Sequence, residues 1–149
     1  MIEQFVVSQV DDVALTFLSH CKEPPVCEGP RCLRVLVVDD EQLVADTVTE
    51  ILCENGFEAV GVYSGTDALE AAAKQCPDVL LTDVLMPRMS GVELAIRFRE
   101  AYPRTRILLF SGQASTADII RQAQVRGHDF DLLPKPIHPE NLIAKLRCP

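Results

Sequence analysis

Clusters of Lys and Arg are what this chain lacks most plainly: its basic residues stand singly or in isolated pairs, and its formal net charge is −8. Neutralising a phosphate backbone requires a basic stripe, so direct nucleic-acid binding is not expected. Also missing is any apolar run approaching the ~20 residues that span a bilayer, which argues against a membrane protein. The opening residues, MIEQFVVSQV, have neither the basic start nor the apolar stretch of a secretory signal, so a cytoplasmic location is expected. A disulfide framework is not expected either. Three of the six cysteines, Cys53, Cys76 and Cys148, are scattered through segments that read as helices or helix ends, and reduced thiols are the expectation.

What is present suffices for one main globular unit. The chain has 149 residues, 48% of them hydrophobic, within the range of a single domain with an ample core. Its composition shifts once, near Arg31 to Leu33, which separates an N-terminal extension (1–32) from a globular part (33–149). The extension ends in the Pro- and Cys-rich stretch HCKEPPVCEGPRC. Before it, Val10, Val13, Ala14, Phe17 and Leu18 fit one face of a helix, which suits an element that binds a partner or covers its own domain. His20, Cys21, Cys27 and Cys32 form a candidate zinc set, but C-x5-C-x4-C lacks the C-x2-C knuckle, and loop cysteines are the better reading. His128 and His138 read as surface residues.

Beyond Leu33 the pattern alternates with a steady rhythm. Leu33 to Val38, Glu58 to Val62, Val79 to Thr82, Ile107 to Phe110 and Phe130 to Leu133 read as strands. The first and fourth are nearly continuous apolar runs, as expected when both faces of a sheet are covered. Between them Leu43, Val44, Val48, Ile51 and Leu52, then Ala68, Leu69, Ala72 and Ala73, then Leu94, Ala95 and Phe98, recur near a period of 3.6. SGVE at 90–93 has the form of a capping box and STAD at 115–118 is an acidic version. Pro139 suits the first turn of a last helix capped by His138. Repeated βα units of this length predict a doubly wound α/β domain with an open parallel sheet.

Ligands of such sheets bind at the carboxyl ends of the strands. Asp39 and Asp40 follow the first strand, Asp83 the third, Ser111 the fourth and Lys135 the fifth. Each alone has a plain structural explanation: a helix cap, a turn aspartate, a loop serine, a solvated lysine. Together they place an acid pair, an acid, a hydroxyl and an ammonium on one rim. Three neighbouring carboxylates would raise one another's pKa unless a divalent cation neutralises them, and oxygen-only ligands point to Mg²⁺.

The segments VLVVDDE (35–41), DVLMPRMSG (83–91), LLFSG (108–112) and LPKPI (133–137) resemble the receiver domain of two-component response regulators, over roughly Leu33 to Arg147. The resemblance implies a flavodoxin-like (βα)5 fold with strand order 2-1-3-4-5. It implies that Asp83 is the phosphoacceptor, that Asp39 and Asp40 form the acidic pocket, that Ser111 is the switch hydroxyl and that Lys135 contacts the phosphoryl group, through a Lys-Pro peptide that is usually cis. Mg²⁺ would be held by Asp40 directly, Asp39 through water, Asp83 and the backbone carbonyl of Leu85. Partners would be a histidine kinase or phosphotransfer protein and a downstream effector protein, with a homodimer possible. The protein would be no enzyme beyond its own phosphorylation and dephosphorylation. Because the chain stops at Pro149, just past the last predicted helix, a stand-alone receiver is expected.

Two features depart from the family pattern. Tyr or Phe usually stands three residues before the Lys, where this chain has Leu132; Phe130 is the nearest ring, and the spacer from Gly127 to Lys135 is one residue longer than common. The N-terminal extension is the other departure. A haloacid dehalogenase-type phosphatase would also pair an Asp nucleophile with Mg²⁺, but it needs D-x-D where this chain has adjacent aspartates. A phosphorylation-independent adaptor is the remaining alternative, opposed by the complete set of pocket residues.

Overall fold

The computed structural model describes residues 32–112 and 116–147. The proposed N-terminal helix, Cys21, Cys27, His20 and the Ser115 cap lie outside them. In chain order the elements are β1 (Arg34–Val38), α1 (Gln42–Glu54), β2 (Glu58–Val62), α2 (Gly65–Lys74), β3 (Val79–Asp83), α3 (Gly91–Ala101), β4 (Arg106–Ser111), α4 (Thr116–Val125), β5 (Asp131–Pro134) and α5 (Pro139–Arg147). All strand pairs are parallel and the order is β2-β1-β3-β4-β5. This is the doubly wound α/β fold that the repeats predict, with the flavodoxin-like strand order that the resemblance implied.

Strand alternation divides the core in two. Val35, Val37, Val79, Leu81, Leu108, Phe110 and Leu133 face α1 and α5, whereas Leu36, Val38, Leu80, Ile107 and Leu109 face α2, α3 and α4. The central strands β1, β3 and β4 are almost wholly buried, while β2 and β5 at the edges are not. Apolar runs are therefore densest where both faces are covered.

Helix starts follow the local chemistry. Ser64 Oγ accepts the Asp67 N–H at 3.1 Å and Ser90 Oγ accepts the Glu93 N–H at 3.1 Å, each satisfying a donor the first turn leaves unpaired. The His138 carbonyl accepts the Leu142 N–H at 3.1 Å, and α5 begins at Pro139. Helix α1 ends where Gly56 takes a left-handed φ of 88°, allowing the Phe57 N–H to reach the Leu52 carbonyl at 3.0 Å.

Several expectations need correction. The stripe of α1 runs through Ala45, Val48 and Leu52, while Leu43 is 80% exposed; at about 100° per residue it lies far round the helix from Ala45. Strand β5 begins at Asp131, because pairing with β4 starts at Leu108↔Asp131. Phe130 precedes it, buried against α3 and α4. His128 is half-buried, its ring stacked on Phe130 at 6.1 Å.

Candidate functional site

The carboxyl ends of β1 and β3 carry the acids. Asp39 follows β1 at the sheet centre, its backbone N–H held by the Val62 carbonyl at 3.2 Å. Its side chain is fully buried. Oδ1 accepts the Glu41 N–H at 2.9 Å and Oδ2 accepts from Lys135 Nζ at 3.2 Å. Asp39 is therefore tied into the turn before α1, whose N-cap is Glu41, so neither aspartate of the pair is the cap itself. Asp40, next along the chain, is exposed.

Asp83 is the last residue of β3 and is buried. Lys135 Nζ lies 3.4 Å from its Oδ1, so one ammonium bridges two carboxylates. Burial pushes the Asp83 pKa up, and the negative charge of Asp39 adds to this, while Lys135 opposes it. Desolvation rather than acid–acid repulsion is thus the main cause of the shift, contrary to the repulsion argument from the sequence. For Lys135 the balance runs the other way: burial disfavours the ammonium, but Asp83 and Asp39 outweigh it and raise its pKa.

Ser111 and Lys135 complete the rim. Ser111 ends β4, buried, and pairs in register with Pro134. Its carbonyl accepts the Lys135 N–H at 2.9 Å, which ties the fourth and fifth strands together at their outlets. The Lys135–Pro136 peptide is cis, as the resemblance implied, and the ammonium lies 4.7 Å from the centre of the Phe110 ring.

Each of Asp39, Asp40 and Asp83 offers a carboxylate oxygen within 4.8 Å of the others. This all-oxygen set, two members buried and one open to solvent, fits a hard divalent cation that keeps part of its water shell. Leu85, two residues beyond Asp83, is 38% exposed.

One residue of the site was missed as a contributor. Gly91 opens α3, and a Cβ there would come within 1.8 Å of the Asp83 backbone oxygen. Its N–H donates to the Val84 carbonyl at 2.8 Å. Only glycine lets α3 approach the rim this closely. The available signal was a glycine in a helical first turn, a poor choice on propensity that calls for a packing reason.

Beside the rim, Leu132 is 46% exposed and Phe130 only 6%. Leu132 pairs with Leu109, so it shares a sheet face with Phe130, as the period of two requires. The Phe130 ring is held between His128 and the Arg99 guanidinium, 4.8 Å from its centre.

Comparison with known proteins agrees with this arrangement. Residues 35–147 match the model of the response regulator receiver domain. The chain is 33% identical over 116 residues to the response regulator MprA of Mycobacterium ulcerans, covering 78% of this chain and 49% of that protein. The chain thus spans about half the length of the curated relatives it matches. Among solved structures, chemotaxis protein CheY4 of Vibrio cholerae superposes with a TM-score of 0.68 at 32% identity, over 78% of this chain and 98% of that one. A BeF3-activated DrrB receiver domain gives 0.67 at 26% identity, over 78% and 96%.

Proposed function

Because the chain belongs to the response regulator receiver domain family of two-component signalling, we propose that Asp83 is its phosphoacceptor. The observation that carries this reading is the placement of Asp83: buried at the end of the central strand β3, bridged by Lys135 and flanked by Asp39 and Asp40. The donor is the phosphohistidine of a histidine kinase or phosphotransfer protein. An Asp83 carboxylate oxygen attacks phosphorus, the new P–O bond forms as the P–N bond breaks, and the leaving imidazole nitrogen keeps the electron pair.

Charge in such a transfer spreads over the equatorial phosphoryl oxygens, so positioning and electrostatics supply most of the catalysis. Lys135 offsets charge on the Asp83 side, and the Ser111 hydroxyl donates to a phosphoryl oxygen. Asp39, Asp40, Asp83 and the Leu85 carbonyl are the groups that would hold Mg²⁺, which supplies further positive charge when bound. The elevated Asp83 pKa fits an acceptor whose charge is costly until a cation arrives. Chemistry is limited to gaining and losing the protein's own phosphoryl group. Output passes in the cytoplasm to an effector protein, or through a homodimer, by a surface that phosphorylation reshapes.

Incubation with a small phosphodonor and Mg²⁺, read by intact mass, tests the assignment. Wild type gains one phosphoryl group and Asp83→Asn gains none. A phosphorylation-independent adaptor would leave both unmodified, and modification persisting in Asp83→Asn would move the acceptor elsewhere.

A further inference from the structure

The open β2 edge of the sheet carries a groove that phosphoryl chemistry does not use. Arg34, Glu58, Val60, Val62, Ala71 and Lys74 line it, with a volume of about 420 Å³. Its cause is visible in α2, whose fully buried residues are all small, Gly65, Ala68 and Ala72, while Leu69 and Ala71 are only partly buried. These small side chains leave β2 partly uncovered on that face. Val60 is consequently 51% exposed, although its partner in β1, Leu36, is buried in the core on the same side.

The chain itself offers an occupant. Arg34 both begins β1 and lines the groove, so the segment before it is attached at the groove mouth. In that segment Val10, Val13, Ala14, Phe17 and Leu18 recur at i, i+3, i+4, i+7 and i+8, the spacing of an apolar helical stripe. Residues 19–33 join the two, and a coil of that length spans roughly 20 Å, enough to fold the stripe back. Tethering at this distance corresponds to an effective concentration of the order of 1 mM, so a weak apolar contact is sufficient.

We propose that residues 10–18 dock as an amphipathic helix in the groove between β2 and α2, with Phe17 and Leu18 covering Val60. The lining charges nearly balance, Arg34 and Lys74 against Glu58, Asp67 and Glu70, so the contact is apolar and little affected by salt.

Amide exchange on the full chain decides the matter, with wild type, Phe17→Asp and Val60→Asp compared over a range of concentrations. Both substitutions lie outside the phosphoryl site, and Val60 is exposed, so fold and phosphoryl uptake stay unchanged. Phe17→Asp speeds exchange across 67–75, and Val60→Asp speeds it across 10–18, each by about tenfold and independently of dilution. Unchanged exchange across 67–75 in Phe17→Asp overturns the proposal. So does protection that vanishes on dilution, which would assign the groove to a second copy of the chain.

Discussion

At the outlets of β1 and β3 the acids Asp39 and Asp83 are buried and share one ammonium, whereas within the edge strand β5 Leu132 stands 46% exposed. The nearest ring to Leu132 in the chain, Phe130, is buried and held between His128 and Arg99. The first region is sensitive to charge: any change at Asp83 alters the balance around Lys135. The second carries no ring at Leu132, and its neighbouring Phe130 ring is packed in place. On the proposed reading, in which Asp83 is the phosphoacceptor, the contrast predicts that a signal leaves through the backbone beyond Ser111 and not through an aromatic exchange on β5.

The largest expected effect lies on the locked ring. Phe130→Ala removes a buried aromatic and should cost about 3–5 kcal/mol in urea denaturation. A cost below about 1 kcal/mol would mean that the ring is free to leave its site, and the contrast with the exposed β5 position would break.

Lys135→Met comes next. It strips the cation from a fully buried Asp39, and losing one member of a buried pair costs about 3–5 kcal/mol; with the lysine side chain 24% exposed, solvent screening brings the expectation to about 2 kcal/mol. The pH profile carries a second signature. The raised Lys135 pKa contributes stability that is complete below its usual 10.5 and lost as pH rises through the raised value. Denaturation at alkaline pH should show that loss in wild type and not in the variant.

Asp83→Asn has a smaller effect on stability, of opposite sign. Asp83 keeps its proton to higher pH in the folded chain than in the unfolded one, so the folded state binds more protons in that interval. Its contribution therefore declines as pH rises from the usual 3.8 toward the raised value. Without divalent cation, the variant should melt higher than wild type at neutral pH, and Mg²⁺ should narrow the gap by stabilising wild type preferentially. Thermal melts with and without Mg²⁺ measure both; a variant that melts lower would mean that the Lys135 bridge outweighs desolvation.

Smallest of all is Leu132→Ala, a surface truncation expected to change stability by under about 0.5 kcal/mol. Its value lies in the pairing with Phe130. Amide exchange with and without beryllofluoride and Mg²⁺ should show changes just after Ser111 in wild type and Leu132→Ala alike. Large changes centred on Phe130 would give that ring the aromatic role after all.

The fold was legible because its signals are local and repeated. Apolar runs such as Val35–Val38 and Ile107–Phe110 mark strands covered on both faces, and Ser90 marks a helix start with a hydroxyl that a helical first turn requires, whereas the matching Ser64 cap emerged only with the structure. Order along the chain also placed Asp39, Asp40, Asp83, Ser111 and Lys135 at strand ends, because a parallel sheet carries all its strand outlets to one side. Distance and burial were not legible in that order. That Lys135 bridges Asp39 and Asp83, that desolvation governs Asp83, that Leu43 faces solvent while Ala45 is buried, and that a Cβ at Gly91 would strike the Asp83 carbonyl all depend on residues distant in sequence or on the exact rotation of a helix. Periodicity and motif order determine which elements form and which groups reach the rim; only packing of the helices on the sheet decides which of those groups lose water, and with it how each carries its charge.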